Sequence, residues 1–280
     1  MTRIRVITDS ACDLDPRLIE RYEVTVVPLS IRFGSEEFED GSGLSTVDFW
    51  ARCATSPVLP ETAAPAPGAF RQAFLQAAED GCDGVLCVNL SSGLSATYQS
   101  AVTAARDIED RVPVQAVDTR SVTMGEGLIV MELAERAQTG ATLIELAKLA
   151  DDLIPRVRVF GVLDTLDHLE KGGRIGGAQA LLGSLLSIKP VVTVTEGVVE
   201  QESKQRTRSR SLAYLADKAK AAPPISRLAV CNGAADDIDL FLGMLEGVKT
   251  EYPIEVVDLG PVIGTHAGPG TIGLCFLTAT

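Results

Sequence analysis

The sequence predicts an α/β protein of two domains, the first on a mostly parallel sheet and the second of α+β type. Three observations carry this. Short apolar strands alternate with helical patterns through the first half, as a parallel sheet requires. Paired strand patterns around a tight-turn signal mark the second half. The 280 residues exceed one ordinary domain, at about 100–200 residues each. The boundary falls near Pro155, giving units of 1–155 and 156–280.

In chain order, Ile4–Thr8, Val24–Phe33, Val85–Leu90 and Val112–Val117 read as buried strands. Phe70, Ala73, Phe74 and Ala77 recur at helical spacing, as do Tyr98, Ala101, Val102, Ala105 and Ile108. Thr142 and Glu145 form a capping box that opens a helix over Leu143–Leu153. Val157–Leu163 is the next strand. Pro190–Thr195 and Val198–Ser203 flank Glu196-Gly197, a hairpin signal. Arg227–Cys231, Ile254–Leu259 and Ile272–Leu277 are further strands, and helical patterns fall near 177–187, 209–220 and 235–250. Residues 59–68 carry three prolines and form the most loop-like stretch; a rigid loop over about 57–68 is placed to cross between the domains.

Composition narrows the function classes. Hydrophobic residues make up 46% and charged residues 22%, an ordinary globular mix that excludes a disordered chain. The net charge of -13 argues against nucleic-acid binding, which needs clustered Lys and Arg. Residues 1–155 hold 12 basic and 24 acidic side chains, and 156–280 hold 13 and 14, so a positive patch belongs to the second half. The amino terminus enters a strand pattern at once, without an apolar signal core. The longest stretch free of charge, Leu259–Thr280, has five Gly and two Pro and makes a poor membrane span. The six cysteines show no C-x-x-C pair and read as reduced thiols of a cytoplasmic protein, without a zinc site.

Four segments could carry chemistry. Asn89–Thr97 follows a strand and precedes a helix, the usual ligand position in parallel sheets. Ser95 sits at the expected N-cap, where free N–H groups attract anions; a plain capped helix is the competing reading. His266 lies among glycines in Gly264–Thr271, where its imidazole could donate to an oxyanion or serve structure alone. Glu170–Gly177 is glycine-rich but fits no phosphate-loop motif, and a helix C-cap explains it equally. Lys204, Arg206, Arg208 and Arg210 alternate, which puts four cations on one strand face unless the last two already belong to the next helix. Asp9-Ser10 follows the first strand and reads as a cap.

Together these segments resemble the DegV family along the full length. The resemblance rests on Ile7–Leu14, Val27-Pro28-Leu29, Phe38–Gly41, Thr62-x-x-Pro65, Ser91–Ala101 and Val117-Asp118-Thr119. Leu169–Ile175, Lys189-Pro190 and His266-x-Gly268-Pro269-Gly270 complete it. It implies a non-enzymatic carrier of one long-chain fatty acid, held in a tunnel between or beside two domains, with no further cofactor. It also implies a partner, a bacterial fatty acid kinase that phosphorylates the bound carboxylate for phospholipid synthesis. By position, the carboxylate-binding residues fall on Thr62, Ser95 and His266, assisted by the Ala96 N–H. The kinase-docking surface maps onto Arg174 and the Lys204–Arg210 face, hence Lys204, Arg206 and Arg208. This chain departs from the family's Thr-Ser-Gln-Pro at Thr62-Ala63-Ala64-Pro65. Leu181, Leu182, Leu185, Leu186 and Ile188 are candidate tunnel walls. Two other readings compete: a serine acyl hydrolase using Ser95 and His266, and a phosphometabolite binder using Lys171–Gly177.

Overall fold

Strand–helix alternation builds the first half. Its elements are β1 (Ile4–Asp9), α1 (Pro16–Tyr22), β2 (Thr25–Val27), β3 (Ser30–Phe33), β4 (Glu36–Glu39), α2 (Thr46–Thr55), β5 (Glu61–Ala63), α3 (Pro67–Glu79), β6 (Gly84–Asn89), α4 (Thr97–Arg106), β7 (Val114–Asp118), α5 (Met124–Gln138) and α6 (Leu143–Leu153). The second half runs β8 (Val157–Val162), α7 (Asp167–Lys171), a 3₁₀ stretch (Gly176–Ser187), β9 (Lys189–Thr195), β10 (Val198–Gln205), α8 (Arg208–Ala221), β11 (Ile225–Gly233), α9 (Ile238–Met244), β12 (Glu255–Asp258), α10 (Pro261–Ala267) and β13 (Thr271–Thr278). The computed structural model describes residues 2–279, and the side chains of these except 182–187.

Three sheets result. The order β2-β1-β6-β7 is parallel throughout, as the alternating pattern predicts. The order β10-β9-β8-β13-β11-β12 is antiparallel except for the β11–β12 pair. A small antiparallel sheet, β4-β3-β5, carries Thr62. Local signals explain several elements. Asp15 caps α1 by accepting from Leu18 N, with Pro16 in the first turn. The Thr142–Glu145 capping box is present. Glu196 and Gly197 take φ of 49° and 81°, as the tight β9–β10 hairpin needs.

The layers stack around α5. The four-stranded sheet packs α3 and α4 on its outer face. The six-stranded sheet packs α8 and α9 on its outer face. Between the two sheets lies α5, with α1 and α6, in the largest apolar cluster. Arg227 on β11 is buried against this helix and donates to Glu132 Oε1 at 2.5 Å and to Glu135, tying the sheet to α5.

Several expectations fail. Val24–Phe33 is not one strand: after Pro28 and Leu29 the chain leaves the parallel sheet, and Ser30–Phe33 joins the small one. The helical pattern at 177–187 is 3₁₀, and the 235–250 pattern yields only Ile238–Met244. The four-cation face does not form. Strand β10 ends at Gln205, Arg206 lies in the connection, and Arg208 and Arg210 enter α8. Helix α5 had no counterpart in the sequence reading.

Candidate functional site

The strand ends of the parallel sheet position the site. Buried Asp9, at the end of β1, accepts from Asn89 Nδ2 at 3.1 Å, Leu90 N at 3.0 Å and Ala11 N at 3.1 Å. Burial pushes its pKa up to about 6. It thus fixes the β6–α4 loop, a positioning role rather than a ligand contact. The loop is also tied to the other sheet: Ser91 Oγ donates to Gly197 O at 2.6 Å. Gly93 permits this approach, since a Cβ there would lie 2.7 Å from Gly197 O. Ser95 stands one residue before the true N-cap, Ala96. Its Oγ pairs with Thr97 Oγ1 at 2.8 Å. Ala96 is exposed, and no described group accepts from its N–H, as expected at a helix start.

His266 arrives from the opposite side, on α10. Thr62 Oγ1 and His266 Nε2 are 2.9 Å apart, so the strand within the proline-rich segment reaches the carboxyl-terminal helix. Gly172 makes room for the ring, because a Cβ there would overlap Nδ1. His168 places its Nδ1 3.1 Å from Thr265 O and steadies α10. His266 Nδ1 is buried without a hydrogen-bond partner. Burial, then the charges of Arg174 and His168, lower the imidazole to a pKa of about 4. It is therefore neutral at pH 7.

Thr62, Ser95, Ala96, Arg174 and His266 all line one cavity of about 220 Å³. Its remaining wall is largely apolar, with Leu29, Leu90, Leu94, Val122, Val159, Leu163, Val192, Val194 and Val262 among its residues. The other wall hydroxyls are bonded within the protein: Thr123 to Asp13 at 2.5 Å, Thr193 to Val159 O at 2.8 Å and Thr271 to Gly268 O at 2.8 Å. The polar groups available to a ligand thus gather at one end.

The remaining predicted residues fall as follows. Arg174 lines the cavity, donating Nε to Leu94 O at 3.1 Å and Nη1 to Gly172 O at 2.6 Å. Lys204 and Arg206 are exposed, away from the cavity lining. Arg208 is bound to Asp237 at 2.8 and 2.9 Å. Leu181 is buried in the cluster of Leu163, Leu166 and Leu169, and Ile188 packs against it; neither lines the cavity. Leu182, Leu185 and Leu186 lie outside the described side chains. Sequence reasoning missed Gly161 and Gly273 in the cavity wall; two glycines in strand patterns were their only signal.

Ser95 and His266 are not hydrogen-bonded to each other: each has the partner given above, and no carboxylate orients the imidazole. This is not the nucleophile–base pairing of a hydrolase. Among the described residues there is no group of three or more potential metal ligands, and no helix is long and apolar enough to cross a membrane.

Fold and site together define an α/β protein that encloses an apolar cavity with one polar end. The family profile described as an uncharacterised protein of the DegV family matches residues 3–279. The chain belongs to the DegV family. It is 36% identical over 279 residues to a DegV domain-containing protein of Streptomyces coelicolor, covering 97% of each chain. Among solved structures, it matches a fatty-acid-binding DegV family protein of Thermus thermophilus with TM-score 0.89 and 32% identity, over 99% of this chain and 100% of that one. It matches DegV of Bacillus subtilis, a fatty acid binding protein, with TM-score 0.87 and 27% identity over both full chains.

Proposed function

We propose that this protein binds one long-chain fatty acid in the cavity and presents its carboxylate to a separate fatty acid kinase. The observation that carries this reading is the gathering of available polar groups at one end of an otherwise apolar wall. The Thermus and Bacillus relatives, which bind fatty acids, support it. The carboxylate accepts from the Ser95 and Thr62 hydroxyls and the Ala96 N–H. Neutral His266 donates Nε2–H to Thr62 Oγ1, freeing the threonine proton for the ligand. Arg174 adds positive potential at the same end.

Energetics divide the labour. Burying about 14 methylenes at ~0.8 kcal/mol each contributes on the order of 11 kcal/mol before binding entropy is subtracted. Each hydrogen bond to the anion contributes about 1.5–3 kcal/mol. The tail supplies affinity and the head supplies orientation. Orientation is what phosphoryl transfer by a partner requires, and exposed Ala96 puts the carboxylate end within a partner's reach. Arg174, Lys204 and Arg206 are the candidate docking cations, with Arg208 held by its aspartate. In this reading the carrier is cytoplasmic, contributes no phosphotransfer chemistry and needs no cofactor, and residues 1–155 and 156–280 are its two domains.

Mass spectrometry after organic extraction tests the binding. A stoichiometric long-chain acid is expected, with retention lowered in Ser95→Ala, which removes a direct donor, and lowered also in His266→Ala, which removes the partner that orients Thr62. A protein that neither carries nor takes up such acids contradicts the reading. Phosphorylation of the bound acid by a purified fatty acid kinase tests the hand-off.

A further inference from the structure

Two glycines face each other in the middle of the six-stranded sheet. Gly161 on β8 and Gly273 on β13 are register partners, flanked in the same cross-strand row by Val192 on β9 and Cys231 on β11. Glycine inside a strand weakens it and calls for a reason. Neither residue has positive φ, so the backbone does not demand it. Gly273 has a packing reason: its Cβ would come within 3.1 Å of Cys231 Cβ. Gly161 has none. A Cβ there would meet only Val192 Cγ2, at an ordinary 3.5 Å, and otherwise project into open space. That space is the cavity, which both glycines line.

Their position along the cavity follows from strand alternation. Val159 and Gly161 share a face of β8, about 7 Å apart, and Leu163, the residue just past the end of the strand, lines the same cavity. Leu163 belongs to the cluster at the polar end, with Leu169, Leu94 and Ile175, the last two adjoining Ser95 and Arg174. Val159 belongs to the cluster around α5, at the inner end. Gly161 stands between them.

Building on the fatty-acid reading, we infer that Gly161 is a specificity-determining residue that gauges acyl-chain length. The Gly161–Gly273 pair leaves a trough in the sheet where the middle of the chain lies. The side chain missing at 161 keeps the inner half, toward Val159 and Val194, open to the methyl end. A methyl group at 161 narrows this passage, and a branched side chain divides it. Acids that end before the trough are unaffected, whereas longer ones lose the contacts beyond it.

The test is a ladder of delipidated full-length proteins, wild type, Gly161→Ala and Gly161→Val, each titrated with octanoate, palmitate and stearate. Wild type is expected to bind palmitate and stearate more tightly than octanoate. Gly161→Val is expected to lose roughly tenfold or more for the two long acids, the effect of excluding two or more methylenes beyond the trough, while octanoate stays within about threefold. Gly161→Ala is expected to fall between, and its ligand-free melting temperature to be no lower than wild type. Equal losses for all three acids, or an unchanged order of affinities in both variants, overturn the gauge while leaving the fatty-acid reading standing. A wild type that binds none of the acids overturns that reading and the gauge with it.

Discussion

The α5 layer and the cavity lie between the same two sheets, and glycine serves opposite ends in each. In α5, a Cβ on Gly125 would overlap Val159 Cγ2 and Ser121 Oγ, and one on Gly127 would lie 2.7 Å from the carbonyl oxygen of Cys12. There the missing side chain lets helix and neighbours close against one another. At Gly161 almost nothing stands where the side chain would be. There the missing side chain keeps protein out. Val159 touches both regions, abutting Gly125 and lining the cavity. The space between the sheets is thus filled by a helix at one place and bounded by largely apolar side chains around a cavity at another.

Substitution separates the two cases. The largest effect is expected for Gly125→Val, which overpacks α5 against β8 and costs about 3 kcal/mol or more; chemical denaturation checks it. A native-like midpoint would mean that the layer yields more easily than its contacts indicate. Next comes the polar end. Folding lowers His266 from 6.5 to about 4, so the unfolded chain binds the extra proton between these values. The ligand-free protein therefore loses stability from this group as pH falls from 6.5 to 4, by at most about 3 kcal/mol. Asp9 and Asp40, both raised to about 6 by burial, act in the opposite sense from pH 6 down to their usual value of 3.8. The difference between wild type and His266→Gln isolates the histidine, and it should shrink or change sign toward acid pH. A difference independent of pH would contradict a buried neutral imidazole. The smallest effect is expected for Gly161→Ala, which should gain about 0.5–1 kcal/mol in the ligand-free protein because the new methyl meets no clash.

What the sequence discloses follows physical scale. Local signals transfer well. The Thr142–Glu145 box, the Glu196-Gly197 turn and the strand–loop–helix around Ser95 each depend on a few adjacent residues. Thr62, Ser95 and His266, to which the family resemblance points, all line the cavity. Long-range causes stayed hidden. Helix α5 is buried nearly all round between two sheets, so it lacks the polar face that marks a helix in a sequence, and its two glycines argue against one. The break at Pro28 sends one apolar run into two sheets. The Lys204–Arg210 alternation ended where Thr207 caps α8, accepting from Arg210 N. Ala64, where the family pattern has a polar residue, lines the cavity close to Thr62, a consequence that spacing alone does not reveal.

Carbon-13 resonance of carboxyl-labelled palmitate bound to the delipidated protein reads the head-group site itself. The expected result is one bound signal that stays ionised to lower pH than the free acid and shifts in both Ser95→Ala and Thr62→Val. A signal that titrates like the free acid, or that is identical in wild type and both variants, would contradict a carboxylate held at the Thr62–Ser95–His266 end of the cavity.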